Sequence, residues 1–405
     1  MKKLKHWKDP GILLASTGIA SIGDFIYLVA INLIVLNMTG SAAAVAGLWI
    51  VAPITNIVMK FWTRSFIDYR SKRKVMMATY LARAVLIAFI PFAPNVWLIY
   101  AILILLSVAK SFFNPSSVTY ITMIVPQPMR KRFNAIRSFT SSGAFIAGPA
   151  AAGTLILLTS IDWALWVNAF FFVAAAAAML FLPEIEKIEK ASIPKLTIQQ
   201  VKKDFTVVFD FAKKSSYVVV VYSVFIAILL FTFAMDAQEV VFAREVVGLS
   251  ELEYSLLISI TGIGSIAGAL VLSVLSERLS IRMMTTTGLL LMAVGYVIYA
   301  FSWSFASIAG GFILLGFFNS FLNTGMSTFY QNNIPVELMG RVTSVFELGQ
   351  SAFQVLFVLL LGAAADFFSL REAIVTAALL MLILSCIFCA FLWKPGREET
   401  FAEES

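Results

Sequence analysis

Ser111-Phe112-Phe113-Asn114 recurs 209 residues later as Ser320-Phe321-Leu322-Asn323, and the same ungapped offset carries Pro126 and Arg132 onto Pro335 and Arg341. A third, looser correspondence sets Asp68, Ser71 and Arg73 against Glu277, Ser280 and Arg282. Three matches on one register mark two homologous halves. Everything else in the chain is read outward from that repeat.

Of 405 residues, 60% are apolar and only 13% charged, far from the composition of a soluble domain. The chain is therefore expected to be an integral membrane protein. Apolar runs long enough to cross about 30 Å of hydrocarbon lie at 11–37, 42–62, 75–93, 96–124, 136–159 and 163–182, and again at 216–238, 254–276, 283–301, 304–334, 342–365 and 372–393. The expected fold is all-α, with twelve transmembrane helices in two six-helix pseudo-symmetric bundles. An even count per half agrees with the repeat, because matched loops then fall on the same side of the bilayer. The expected division is an N-terminal bundle at 1–182, a cytoplasmic linker at 183–215, a C-terminal bundle at 216–393 and a tail at 394–405.

Lys and Arg crowd one set of loops: four precede the first span, five lie from Arg64 to Lys74, four from Arg130 to Arg137, seven in the linker and five on the C-terminal side. The other side holds only Arg244 and Arg371. By the positive-inside rule both termini are cytoplasmic. The formal charge of +7 follows from that topology and calls for no nucleic-acid partner. The basic start Met1-Lys2-Lys3-Leu4-Lys5 resembles a secretory signal, but its apolar run continues to Met38, past a signal core, so an uncleaved first helix is expected. Within the linker, Ile198, Val201, Phe205, Val208 and Ala212 recur at helical spacing among Lys202, Lys203, Lys213 and Lys214. That pattern suits either a helix lying on the inner membrane surface or a tether whose apolar face packs on the bundle.

Enzymatic readings fail on composition. The single histidine, His6, sits in the basic N-terminal segment, so no His-based nucleophile or multi-His metal site can be assembled. Cys386 and Cys389 lie within the last apolar run with no ligand partners, and pack as small apolar groups. No phosphate-cradling G-x-x-x-x-G-K-[ST] sequence is present. No cofactor is expected.

What remains is a short list of charges at membrane depth, each costly unless paired or facing water. Asp24 lies thirteen residues into the first helix, roughly 20 Å from the cytoplasmic end at about 1.5 Å per residue. Arg83 and Lys110, on the third and fourth helices, come out at comparable depth. Two readings stand: a static ion pair that locks the bundle, or a pair broken by protonation or by substrate. Asn32, Asn56 and Asn114 offer polar contacts, although buried Asn often only bonds neighbouring helices. Glu347, about two turns into the eleventh helix, is either a second protonatable site or a partner of Arg341 or of a nearby loop. Asp236 and Glu239 end the seventh helix and are read as interfacial, in contact with water. Lys60 extends its stem toward the inner headgroups. Gly143, Gly148, Pro149 and Gly153 punctuate the fifth helix, small residues permitting close contact and the proline bending it.

At these residues the sequence resembles the major facilitator superfamily over essentially the whole chain. Gly143-x4-Gly148-Pro149-x3-Gly153 looks like the helix-5 signature of proton-coupled drug exporters. Asp68 through Lys74 looks like the family's 2–3 loop signature, with Arg64 where a glycine is usual and Tyr69 where the first arginine is usual. The resemblance implies conformational gating by Asp68, Lys72 and Arg73, with Arg132 and Arg341 as the repeated loop positions. Ser21-Ile22-Gly23-Asp24, Phe112-Phe113-Asn114-Pro115, and Gln331 through Pro335 followed by Gly340-Arg341-Val342 resemble the macrolide-efflux-like branch, which includes siderophore exporters. That likeness implies alternating access by two six-helix bundles rocking about a central cavity lined by helices 1, 4, 7 and 10. Asn32, Asn114 and Asn323 are the cavity candidates, and the third helix is usually peripheral in the family, which favours Lys110 over Arg83 as partner of Asp24. The expected function is export of a small amphipathic organic compound by proton antiport, in a monomer of the cytoplasmic membrane. An importer or uniporter of the same fold, or a non-transporting sensor or scaffold, are the alternatives.

The repeat also predicts where the coupling chemistry lies. Asp24 falls opposite Phe233, Arg83 opposite Met292, Lys110 opposite Asn319, and Gly148-Pro149 opposite Phe357-Val358. The coupling groups are thus expected mainly in the first half, with Glu347, opposite Ser138, as the second half's only comparable departure.

Overall fold

The computed structural model describes residues 7–67, 70–126, 130–185, 208–209, 211–275, 278–396 and 399–401. Among the described residues, twelve helices are long and apolar enough to cross a membrane, and there is no strand. In chain order they are α1 (Lys8–Thr39), α2 (Ala42–Ile67), α3 (Lys72–Phe89), α4 (Val96–Ile124), α5 (Arg130–Leu158), α6 (Ile161–Met179), α7 (Ser216–Asp236), α8 (Glu251–Leu275), α9 (Ile281–Ala300), α10 (Phe305–Asn333), α11 (Val336–Phe367) and α12 (Leu370–Leu392). The chain divides into two compact units, Met1–Leu196 and Thr197–Ser405. The linker residues whose periodicity suggested a surface helix lie outside the described residues, apart from Val208 and Ala212.

The helix starts explain why the repeat needs no gaps. A helix leaves its first backbone N–H groups without intrahelical partners, and a Ser or Asn side chain just before it accepts one of them. Ser71 and Ser280 cap α3 and α9 in this way, Asn95 and Ser304 cap α4 and α10, and Ser160 and Ser369 cap α6 and α12. Ser41 and Ser250 do the same ahead of α2 and α8, accepting from Ala44 and Glu253 N–H. Each pair stands 209 residues apart. Both α4 and α10 run 29 residues between corresponding ends.

One element departs from the register. α1 is continuous for 32 residues and closes at Gly40, whose φ of 59° is the left-handed conformation that glycine adopts most readily. Its counterpart stops at Asp236, resumes for one turn at Glu239–Val241, widens into a π-helical segment at Phe242–Val246, and turns at Gly248 with φ 81°. The second unit therefore breaks its first helix near one membrane face.

In the first unit α1 packs on α6 and α5, α3 on α6 and α4, and α2 on α4; in the second, α9 packs on α10 and α12, α8 on α10, and α11 on α7. Lipid is as apolar as these helices, so close backbone approach through small residues holds them together. At Gly268 of α8 a Cβ would lie 2.2 Å from Phe317 O, and at Gly316 of α10 it would lie 2.0 Å from Thr261 O. Trp97 and Trp163 begin α4 and α6 with 75% and 54% of their surface exposed, as expected of aromatic rings at a membrane interface.

Candidate functional site

Asp24 on α1 forms an ion pair with Arg83 of α3, the Arg83 Nη2 donating to Asp24 Oδ1. The two partners differ in access: the Arg83 side chain is 7% exposed and that of Asp24 35%. Arg83 is fixed from behind by Phe172 of α6, whose ring centroid lies 4.1 Å from the guanidinium carbon. Tyr80, one turn before Arg83, packs on Phe172 and on Phe113 of α4 at 5.7 and 4.7 Å between centroids. Tyr27, three residues after Asp24, keeps its hydroxyl buried within electrostatic range of the pair, with no hydrogen-bond partner. The arrangement holds a buried cation against a carboxylate that is one-third exposed.

This corrects the expected partner of Asp24. Lys110 is exposed on α4, and it is Arg83 that meets the carboxylate. Residue counting gives depth along a helix but not rotation, and the long arginine side chain reaches α1 from α3 across the ring of Phe172.

The face of α4 that carries Lys110 repeats in α10. Lys110 and Asn114 are one turn apart and exposed, and their counterparts Asn319 and Asn323 are also exposed, Asn323 Nδ2 donating to Asn319 Oδ1 at 2.8 Å. Behind them Ser111 donates to Asn56 Oδ1 of α2 at 3.1 Å, and Ser320 donates to Ser265 O of α8 at 2.8 Å. The same residue pairs, 209 apart, bind α4 to α2 and α10 to α8. Asn114 and Asn323 are thus both exposed. Asn32 is not, because it is 3% exposed and donates to Leu28 O of its own helix at 2.7 Å; it is a packing residue rather than a cavity one.

The fifth-helix signature packs beside Asp24. A Cβ at Gly148 would stand 2.5 Å from Phe25 Cβ and 3.2 Å from Ile22 O, so α5 approaches α1 at the residues flanking Asp24. Phe145 closes the same contact against Phe25 at 5.1 Å. Gly153 is buried and Pro149 lies inside the helix, whereas Gly143 meets nothing within 4 Å.

Of the gating residues, Asp68 lies outside the described residues, and Arg132 and Arg341 belong to the first turn of α5 and the second turn of α11. Lys72 is buried at the start of α3. Arg73 donates to Leu182 O beyond the end of α6. Lys74 bonds Glu184 at 2.8 Å and holds its carboxyl below the usual range. Within the first unit, the basic start of α3 is tied to the exit of α6.

In the second unit Glu347 is exposed on α11, within electrostatic range of Tyr222 of α7 and Tyr330 of α10. These rings pack at 5.0 Å, Phe346 meets Tyr222 at 4.8 Å, and Tyr330 shares a hydrogen bond with Thr343.

Asp236 and Glu239, read as interfacial, are half-buried at the end of the seventh helix, and their polar atoms are drawn into the protein. Asp236 accepts a 2.8 Å hydrogen bond from the Tyr296 hydroxyl of α9. Glu239 Oε1 is closed off from solvent and has no hydrogen-bond partner among the described residues. Burial, with a further contribution from Asp236, pushes the Glu239 carboxyl up to about 8. The physical reason is the π-helical segment: it folds back through Leu249 N–H to Ala243 O at 2.9 Å and packs against α8 and α12. The sequence held a signal, since Val240-Val241-Phe242 follow these acids where a solvated loop would have polar residues.

The sequence model of the Major Facilitator Superfamily matches residues 13–243 and 224–405. A multidrug efflux pump, Tap of Mycolicibacterium fortuitum, is 23% identical over 388 residues, covering 93% of this chain and 94% of its own. The uncharacterized MFS-type transporter YfiS of Bacillus subtilis (strain 168) is 21% identical over 391 residues, covering 93% and 91%. Among solved structures, a mutant of the nucleoside transporter NupG superposes with a TM-score of 0.78 at 13% identity, covering 95% of this chain and 100% of that one. A bacterial homolog of the human lysosomal transporter Spinster does so with 0.72 at 11%, covering 99% of each. At these identities the superpositions establish the fold alone. Family match and fold agree over both halves: the chain is a multi-pass membrane transporter, not an enzyme, and belongs to the Major Facilitator Superfamily.

Proposed function

We propose that the chain exports a small amphipathic organic compound in exchange for protons, with Asp24 as the proton carrier. The Asp24–Arg83 pair carries this reading. A membrane-depth carboxylate must be neutralised by a proton or by a cation, and Asp24 has access to both: water on its open side and the fixed Arg83 guanidinium on the other. Protonation of Asp24 releases Arg83, and the freed contact is the event a conformational change can follow. Exposed Asn114 and Asn323 are the polar contacts for substrate in their respective units, and Lys110, one turn from Asn114, is an accessory cation.

Export is supported by the relative called a multidrug efflux pump. The remaining features belong to the same proposal: both termini cytoplasmic in a cell membrane, bundles at 1–182 and 216–393 joined by the linker at 183–215, a tail at 394–405, and a monomer without cofactor. Asp68, Lys72, Arg73, Arg132 and Arg341 gate the cycle, and the α5 signature keeps α5 against α1 as it proceeds.

In everted vesicles, Asp24→Asn is expected to abolish efflux driven by a pH gradient while the protein remains in the membrane. Undiminished substrate-coupled proton flux in that variant defeats the assignment, and accumulation of substrate by whole cells reverses the direction.

A further inference from the structure

The repeat places the membrane-depth acids mainly in the first half, with Glu347 as the exception, yet the end of α7 and the turn after it carry two further carboxylates that the fold half-buries. Around Asp236 and Glu239, three residues apart at the helix break, α9 supplies Tyr296 and Tyr299 and α8 supplies Tyr254. Tyr296 bonds Asp236. Tyr299 is 1% exposed, its hydroxyl has no hydrogen-bond partner, and both carboxylates lie within its electrostatic range. Tyr254 is 3% exposed and lies within electrostatic range of Glu239. In the first half the positions of Asp236 and Glu239 are occupied by Tyr27 and Ala30.

The cations on the surrounding elements have other partners, with Arg244 Nε and Arg371 Nη2 left buried without a hydrogen-bond partner among the described residues and Arg371 within electrostatic range of Tyr299. Arg244, on the π-helical segment, donates to Leu249 O at 2.7 Å and stands 3.9 Å from Glu251 at the start of α8. Arg371 of α12 donates to Ala300 O at 3.3 Å and lies over the Trp303 ring at 3.7 Å and the Phe242 ring at 5.0 Å. Glu245 is exposed. A buried carboxylate with neither a cation nor a donor is unfavourable in its ionised form, and Glu239 Oε1 has neither among the described residues.

We propose that Glu239, with Asp236, Tyr254, Tyr296 and Tyr299 around it, is a second proton-binding site of this transporter, built into the helix break of the C-terminal unit and independent of Asp24. The proton passes from hydronium to a Glu239 carboxylate oxygen, forming one O–H bond as another breaks and leaving a neutral acid and water. That acid supplies the missing donor of the cluster, and the buried, unpartnered Tyr299 hydroxyl is an acceptor within its electrostatic range. Each half of the repeat then has its own acid, placed on non-corresponding residues of corresponding helices.

Infrared spectroscopy of the full chain in lipid vesicles tests this without a transported substrate. The wild type should show the carbonyl band of a protonated carboxyl at neutral pH, lost with a midpoint near the value of about 8 given for Glu239. Glu239→Gln should remove that band, and Asp24→Asn should keep it. Asp236→Asn should move the midpoint to lower pH, and this shift decides the question should Glu239→Gln fail to accumulate. A wild type without the band at neutral pH overturns the site, as does a band indifferent to both Glu239→Gln and Asp236→Asn. A midpoint that falls when sodium replaces choline reassigns the ligand to a metal cation and overturns it as well. None of these outcomes depends on the export reading.

Discussion

Replacing Gly148 with alanine tests whether the α5 signature serves helix contact at the coupling site. The added Cβ would meet Phe25 Cβ at 2.5 Å, far inside contact distance, and Ile22 O at 3.2 Å. Overpacking of this kind costs about 1–3 kcal/mol, against a gain of up to about 1 kcal/mol from the helix propensity of Ala over Gly. Gly143 on the same helix meets nothing within 4 Å, so Gly143→Ala keeps the propensity gain alone. Subtracting one variant from the other removes the shared propensity contribution and leaves the clash, about 2 kcal/mol, or a factor of about 30 between folded and unfolded populations. The assay is an unfolding titration of both purified variants in mixed micelles. It is paired with proton-coupled efflux, because Phe25 and Ile22 flank Asp24. Gly148→Ala should be the less stable and the less active, and Gly143→Ala should match or exceed the wild type in stability. Equal stability of the two variants refutes the reasoning.

Arg83→Lys should retain part of the proton-coupled efflux but lose about 1 kcal/mol of stability, since an ammonium lacks the planar stack on Phe172; Arg83→Met should lose coupling altogether, and efflux assays with matched unfolding curves separate the two. Glu239 gives stability a pH dependence of definite sign: its carboxyl ionises near 4.5 when unfolded and only near about 8 when folded. The unfolded chain therefore binds fewer protons across that window, so stability falls as pH rises through it, and Glu239→Gln should flatten the slope of unfolding midpoint against pH. Ser71→Ala and Ser280→Ala should each cost about 1 kcal/mol by removing a helix cap, with similar losses at the two positions in parallel unfolding titrations.

Hydropathy located the spans because burial in lipid depends on length and apolarity, which the sequence carries directly. The run at 96–124 coincides with α4. α5 and α11 begin six residues before their apolar runs, because Arg130, Lys131 and Arg132, or Glu337, are good helix formers that hydropathy excludes. Rotation about the axis was not legible: the partner of Asp24 and the burial of Asn32 both depend on which way a side chain points. Nor was the burial of Glu239, which follows from a π-helical segment that no periodicity announces. The close contacts at Gly264 and Gly268 of α8 were readable as a Gly-x-x-x-Gly pattern.

The eight capped helix starts, paired across 209 residues, make the loops a setting of angular phase. A residue inserted after Ser71 or before Asn95 would turn the helix that follows by about 100°, carrying lipid-facing side chains into the bundle and core side chains out. Substitution within these connections changes little of that geometry, whereas a change of length changes all of it. Two copies of one ancestral segment can therefore lose almost every side chain they shared, acid for aromatic and cation for amide, and still keep the same count of residues from one helix start to the next.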